Sequence, residues 1–296
     1  MSYMYFGKVN INSNIFEVYN NPSKIGEILK YLFEAIDQEK RLKVDEKNNI
    51  WAKFINIEKD YAKQYISGRI VKIFEDDIET YDAITDDVSP LPNKDLAKSV
   101  PFFFDLRNEI VVFTTTNGFR SGKVIDYFNK LINSYSKDIK FEVFLMQNIK
   151  EIKEQISKFK KISRVEYTLV PPNSNKDDFM DLFPHDYDEI TEIGATKIEQ
   201  SFSTSAKGNG VNIASRLFNR VIKAVSMGYG IIKLSGKNKE NAKLDITSEE
   251  TAPYKEYIPE TQKNSITEIK ERGRAGIVTL LANREKNNNR LIDRKK

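Results

Sequence analysis

Val100–Tyr135 reads VPFFFDLRNEIVVFTTTNGFRSGKVIDYFNKLINSY, and its patterning decides the fold class. Phe102–Asp105 and Glu109–Thr115 are rich in strand formers and are separated by Arg107-Asn108, the spacing of an antiparallel hairpin. Phe102, Phe103 and Phe104 place apolar groups on both faces of one strand. A solvated strand alternates, so this one is expected to be central and buried. After a glycine-bearing loop, Val124, Tyr127, Phe128, Leu131, Ile132 and Tyr135 recur at helical spacing. They predict an amphipathic helix starting near Ser121 and packed on the hairpin.

Working downstream, Ile139–Leu145 reads as a strand, and Ile149, Ile152, Ile156 and Phe159 mark a helix. Val165–Val170 is a strand stopped by Pro171-Pro172. The resulting ββαβαβ order predicts an α+β fold: mixed sheets of ferredoxin-like character with amphipathic helices packed on them. Upstream, Tyr3–Val9 and Ile15–Val18 read as short strands and residues 23–40 as an amphipathic helix. Ile50–Ile57 and Tyr65–Phe74 follow as strands. Glu75–Ser99, acidic and carrying Pro90 and Pro92, reads as a surface excursion. Asn173–Ser205 is a polar connection with a helical piece at Asp177–Phe183. A helical face from Val211 to Val225 ends at Gly228 and Gly230, and Ile231–Ser235 with Lys243–Thr247 predicts a second hairpin. Ser265–Ala282 reads as a short helix broken at Gly273 and Gly276, and the last dozen residues as disordered. The expected units are an N-terminal αβ unit (1–90), a central unit (100–172), a C-terminal helix-plus-hairpin unit (173–260) and a basic tail (261–296).

With 40% hydrophobic residues, 18 Phe and 14 Tyr, the chain has ample material for a core. No apolar run approaches membrane-spanning length, and MSYMYFGKVN lacks the pattern of a signal peptide, so no membrane association is expected. Cysteine is absent, which removes thiolate nucleophiles, thiolate metal sites and disulfides together. The net charge of +4 is distributed unevenly. Ten Lys/Arg against four Asp/Glu follow Gln262, whereas Glu75, Asp76, Asp77, Glu79, Asp82, Asp86 and Asp87 concentrate acid in one segment.

Three clusters bear on chemistry. NGFRSGKV (Asn117–Val124) sits between a strand and a helix but departs from a nucleotide-binding P-loop, with Asn117 at the first glycine and Val124 at the metal-binding hydroxyl. Its looser reading is a helix start capped by Ser121, with Arg120 and Lys123 beside the positive end of the dipole, which suits a phosphate. Asp177, Asp178, Asp181, His185, Asp186, Asp188 and Glu189 could hold magnesium for nuclease chemistry, or form a solvated acidic loop. Arg216, Arg220 and Lys223 fall at i, i+4 and i+7 on one helix, with Lys207 preceding and Tyr229 following. Such a stripe can track a phosphate backbone or merely face water. Trp51, on a predicted strand with Phe54, reads as core.

Ile66–Ala83 (ISGRIVKIFEDDIETYDA), the run Val100–Asn133 and Gly228–Pro253 (GYGIIKLSGKNKENAKLDITSEETAP) together resemble an uncharacterised bacterial family of domains of unknown function. The resemblance covers most of residues 1–255 and implies an association with mobile elements and anti-phage defence loci, without assigning any residue a role. The leading expectation is a cytoplasmic bacterial protein that contacts nucleic acid, RNA or DNA, through Arg216, Arg220, Lys223, Arg120 and Lys123, as part of a defence system acting with partners. The alternatives are a metal-dependent nuclease built on the acidic cluster, and a non-catalytic scaffold with a protein partner or a second copy. No cofactor and no metal site is expected.

Overall fold

Phe102–Phe104 lie in the middle of an eight-stranded antiparallel sheet. A computed structural model describes residues 1–13, 15–21, 23–135, 139–173, 176–183, 186–205 and 207–293. The chain enters as β1 (Ser2–Ile11), then α1 (Ile15–Asn20) and α2 (Lys24–Ala35). A meander follows: β2 (Arg41–Asp45), β3 (Ile50–Asp60), β4 (Tyr65–Asp82), β5 (Asp87–Asp105) and β6 (Ile110–Phe113). α3 (Ser121–Asn133), β7 (Phe141–Leu145), α4 (Ile149–Ser157) and β8 (Phe159–Leu169) come next. Then follow α5 (Lys176–Leu182), α6 (Tyr187–Ile193), β9 (Ile198–Ser203), α7 (Arg216–Ser226), β10 (Gly230–Asn238) and β11 (Lys243–Thr247). The described chain closes with α8 (Ser248–Thr251), β12 (Lys255–Ile258) and α9 (Ile266–Asp293).

The large sheet runs β12-β1-β6-β5-β4-β3-β2, and β7 adds to β1 beside β12 on the same edge. It curls, and a helix packs on part of each face. On the inner face Val124, Phe128 and Leu131 of α3 meet Phe54, Phe102 and Phe104, all buried. Phe128 makes edge-on contacts with Phe54, Phe102 and Phe104 at centroid distances of 5.6, 5.8 and 5.9 Å, a geometry favoured by the ring quadrupoles. On the outer face Phe6, Phe103 and Val112 meet Ile269 and Ile277 of α9. The apolar run at 102–104 thus serves two cores, as its lack of alternation predicts.

A second sheet, order β11-β10-β8-β9, is antiparallel throughout. α7 covers one of its faces: Phe218, Val221 and Val225 pack with Val165, Tyr167, Ile232 and Leu234. Two buried asparagines tie this half to β1. Asn173 accepts from the Ile11 amide and donates to the Val9 carbonyl, each at 2.7 Å, and Asn10 donates to the Gly228 carbonyl at 2.9 Å.

The α+β class stands, but a ferredoxin-like arrangement is not formed. β7 joins β1, and β8 leaves for the second sheet, so the four strands of the ββαβαβ run never share one sheet. Ile15–Val18, read as a strand, is helical; a four-residue stretch with three apolar residues does not distinguish the two. Glu75–Ser99 reaches the surface as expected, with Tyr81, Ile84 and Val88 exposed, but as a regular ribbon: β4 and β5 pair from Tyr65↔Asp105 to Asp82↔Asp87, with one bulge between Phe74 and Asp76. α9 is unbroken at Gly273 and Gly276. These glycines let the helix approach the sheet: a Cβ at Gly276 would lie 2.7 Å from the Phe6 ring. Among the described residues no helix is long and apolar enough to cross a membrane.

Candidate nucleic-acid interface

Where the β4–β5 ribbon leaves the sheet, three lysines gather. Lys72 and Lys98 are direct cross-strand partners. Both ammonium groups lie over the Phe74 ring, at 4.8 and 5.6 Å from its centroid. Like charges placed directly opposite one another destabilise a strand pair, so this arrangement has a cost in the free protein. Burial holds the Lys72 ammonium below the ordinary lysine range, and the charges of Lys98 and Lys123 add to the effect, partly offset by Asp45 and Asp76.

Lys123 arrives from the start of α3. The residue capping that helix is Arg120, in extended conformation and with no side-chain capping bond; Ser121, expected to cap, is already its first helical residue. The first-turn amides of a helix have no intrahelical acceptor and carry the positive end of the dipole. Gly122 faces open space there, and Arg120 and Lys123 are exposed. The preceding loop touches the lysine pair: Gly118 has φ +74, and a Cβ on it would lie 2.7 Å from Lys98 Nζ. Asp45 borders the cluster, but its carboxylate is occupied by the backbone and side-chain amides of Asn48, which hold it below the usual carboxylate range. Arg120 and Lys123 therefore join Lys72 and Lys98, which sequence patterning left unremarked, Lys72 inside an expected strand and Lys98 inside the expected surface excursion. Their pairing depends on register across twenty-six residues of chain.

The stripe on α7 is differently disposed. Ser215 caps the helix by accepting the Phe218 amide at 3.2 Å. Arg216 is exposed, but Arg220 donates to the Phe183 carbonyl at 3.4 Å and Lys223 pairs with Asp181. Two of the three cations thus reach toward α5. Tyr229 is buried, 4% exposed, with Lys8 5.9 Å from its ring centroid. Lys207 is exposed in the connection before α7.

In the acidic cluster, Asp186 caps α6 by accepting the amides of Asp188 and Glu189, and Asp181 is paired with Lys223. His185 and the side chain of Asp178 lie outside the described residues. Among the described residues no three Asp, Glu or His side chains converge as metal ligands would. An open depression of about 290 Å³ lies on the second sheet, lined by Glu166, Thr168, Glu199, Ser201, Ile231 and Lys233. It mixes both charge signs and lies away from the lysine cluster.

This curled antiparallel sheet, with a helix on each face and a cationic corner, defines an α+β protein. The sequence profile of the domain-of-unknown-function family DUF4747 matches residues 2–273, and the chain belongs to that family. The comparison with curated proteins gave no match.

Proposed function

We propose that the protein binds nucleic acid by phosphate contacts at the corner formed by Lys72, Lys98, Arg120 and Lys123. The observation that carries this reading is the Lys72↔Lys98 cross-strand pair beside the side-chain-uncapped start of α3. Cations held against one another repel, and an anion between them converts that repulsion into attraction. Helix amides and lysines together form the usual furniture of a phosphate site. Arg216, with Arg220 and Lys223 where they are released from α5, forms a secondary contact. A cytoplasmic role in anti-phage defence, acting with partners, belongs to the same proposal; the family-level resemblance supports it.

The test is binding of single- and double-stranded oligonucleotides across a salt series. Neutralising phosphates releases counterions, so log affinity falls with log salt with a slope of about −0.9 per contact on duplex and about −0.7 on single strands. Lys72→Ala/Lys98→Ala/Lys123→Ala is expected to flatten the slope by about two to three contacts, more than Arg216→Ala/Arg220→Ala/Lys223→Ala does. No wild-type binding at low salt, or an unchanged slope in the first triple variant, defeats the reading.

A further inference from the structure

The sole tryptophan lies on the outer face of the same sheet corner. Trp51 and Phe54 are three residues apart on β3 and point to opposite faces: Phe54 is 1% exposed in the inner core, whereas Trp51 is half-buried and belongs to none of the three apolar clusters. The core reading of Trp51 therefore does not hold. Two rows of side chains cross β2, β3 and β4 on this face. One is Arg41, Lys53 and Val71; the next is Lys43, Trp51 and Ile73. Arg41 Cζ lies 4.8 Å and Lys43 Nζ 5.7 Å from the indole centroid. Arg41 and Lys53 are direct cross-strand partners, a second like-charge pair. β2 is the edge strand, so one side of this surface is open to solvent.

We propose that Trp51 is a stacking platform for an unpaired base of single-stranded nucleic acid, with Arg41 and Lys53 taking the flanking phosphates. This rests on the nucleic-acid reading above and names its substrate class. The indole lies outside the apolar clusters, with cations beside it. A base has an apolar face to lay on it and a charged backbone to satisfy the cations, which a free phosphate or a polyanion without bases does not combine. Along a duplex the bases stay stacked on one another, so only its terminal pairs offer a face to the indole. Lys43 is paired with Glu46 at 3.2 Å, so Arg41, 4.8 Å from the indole centroid, is the cation that a stacked base would share the ring with or displace.

Because the protein has one tryptophan among 14 Tyr, fluorescence excited at the red edge, beyond tyrosine absorption, reports on this position alone. Unlabelled oligothymidylate and oligouridylate are expected to quench it to saturation, the two arms separating DNA from RNA. Inorganic polyphosphate and a blunt duplex are expected to bind with little quenching. Trp51→Leu is expected to weaken single-strand binding by roughly tenfold or more with its salt slope unchanged, and Trp51→Phe to retain most of the affinity. If labelled single strands bind while Trp51 fluorescence stays constant, or if Trp51→Leu binds as wild type does, the stacking role is overturned and the phosphate reading stands. If no oligonucleotide binds at all, both fall. Quenching is measured on the wild-type chain, so that result is independent of how the variants fold.

Discussion

β4 and β5 form one continuous ribbon, yet its two halves differ in almost everything except backbone pairing. In the sheet half, Ile66, Ile70, Val100, Phe102 and Phe104 are each 0% exposed. In the projecting half, Tyr81 is 65%, Ile84 95% and Val88 51% exposed, although Tyr81 and Val88 are cross-strand partners. The projecting half also holds eight carboxylates against one lysine between Glu75 and Asp95. β3 follows β4 only as far as Ile73, and β6 follows β5 only from Phe102 to Asp105, so beyond the bulge the two strands pair with each other alone. The same hydrogen-bonded ladder is thus supported by two cores at one end and by water at the other. Two-stranded ribbons are marginal in water, so the stability of the ribbon resides in its packed half.

The largest effect that tests this contrast is a cavity. Phe102→Ala should destabilise the protein by about 3–5 kcal/mol, because the ring is enclosed by Phe54 and Phe128 and its neighbours cannot close the gap. Tyr81→Ala, on the same ribbon, should change stability by no more than about 0.5 kcal/mol. Urea unfolding measures both, and comparable losses would break the contrast.

The lysine corner marks the boundary between the halves, and relief of repulsion there should be visible without any ligand. Lys72→Gln is expected to raise the thermal midpoint slightly, because it removes a half-buried charge set against Lys98 and Lys123. The same substitution should weaken oligonucleotide binding. Opposite signs on stability and binding distinguish a site held ready for an anion from a purely structural lysine, whose loss would lower both.

Excising residues 77–92 and closing the ribbon with Asn-Gly should leave global stability within about 1 kcal/mol of the parent, since it removes no buried apolar side chain among those described. Loss of cooperative unfolding in the shortened chain would show that the arm supports the sheet after all.

How far the sequence revealed this follows the same divide. Phe102–Phe104 and the Val124–Phe128–Leu131 stripe were legible because burial writes a period into the chain, and the two structured ends of the hairpin fell where expected. The arm was not legible. Its strands answer to no core, so no alternation is imposed, and Pro90 and Pro92 looked like breakers. A ribbon open on both edges tolerates proline that an interior strand would not. Gly273 and Gly276 misled in the other direction: they mark contact with Phe103 and Phe6, which local sequence does not display. In the candidate site, Arg120 and Lys123 could be found from the helix start they flank. Lys72 and Lys98 could not, because their meaning comes from register, and the α7 stripe looked free only because α5 packing against it was unseen. Trp51 carried a usable signal in its three-residue offset from Phe54, which places the two on opposite faces.

The smallest effect concerns the root of the ribbon, where acid should act on the packed half and spare the arm. Glu58 accepts from the Tyr65 hydroxyl at 2.6 Å and from Lys270 of α9 at 3.2 Å. These bonds, Tyr65 first, hold its carboxyl below the usual range. A lowered folded value means that the unfolded chain takes up a proton first as pH falls. The contribution is therefore complete above the unfolded carboxylate value, near pH 4.3, and is lost as pH drops through the folded one. Asp82, in the arm, is also held low, chiefly by the Ile84 amide, so local charge chemistry is alike at both ends. The difference lies in coupling. Glu58 joins β3 to β4 and α9, and Glu58→Gln should reduce the loss of thermal midpoint between pH 5 and pH 3 by a small but measurable amount. Asp82→Asn should leave that global curve unchanged and instead speed amide exchange of Ile84, whose N–H the carboxylate accepts at 2.8 Å. If Asp82→Asn moved the global curve as much as Glu58→Gln, the arm and the sheet would unfold as one unit, and the two halves of the ribbon would be energetically the same structure.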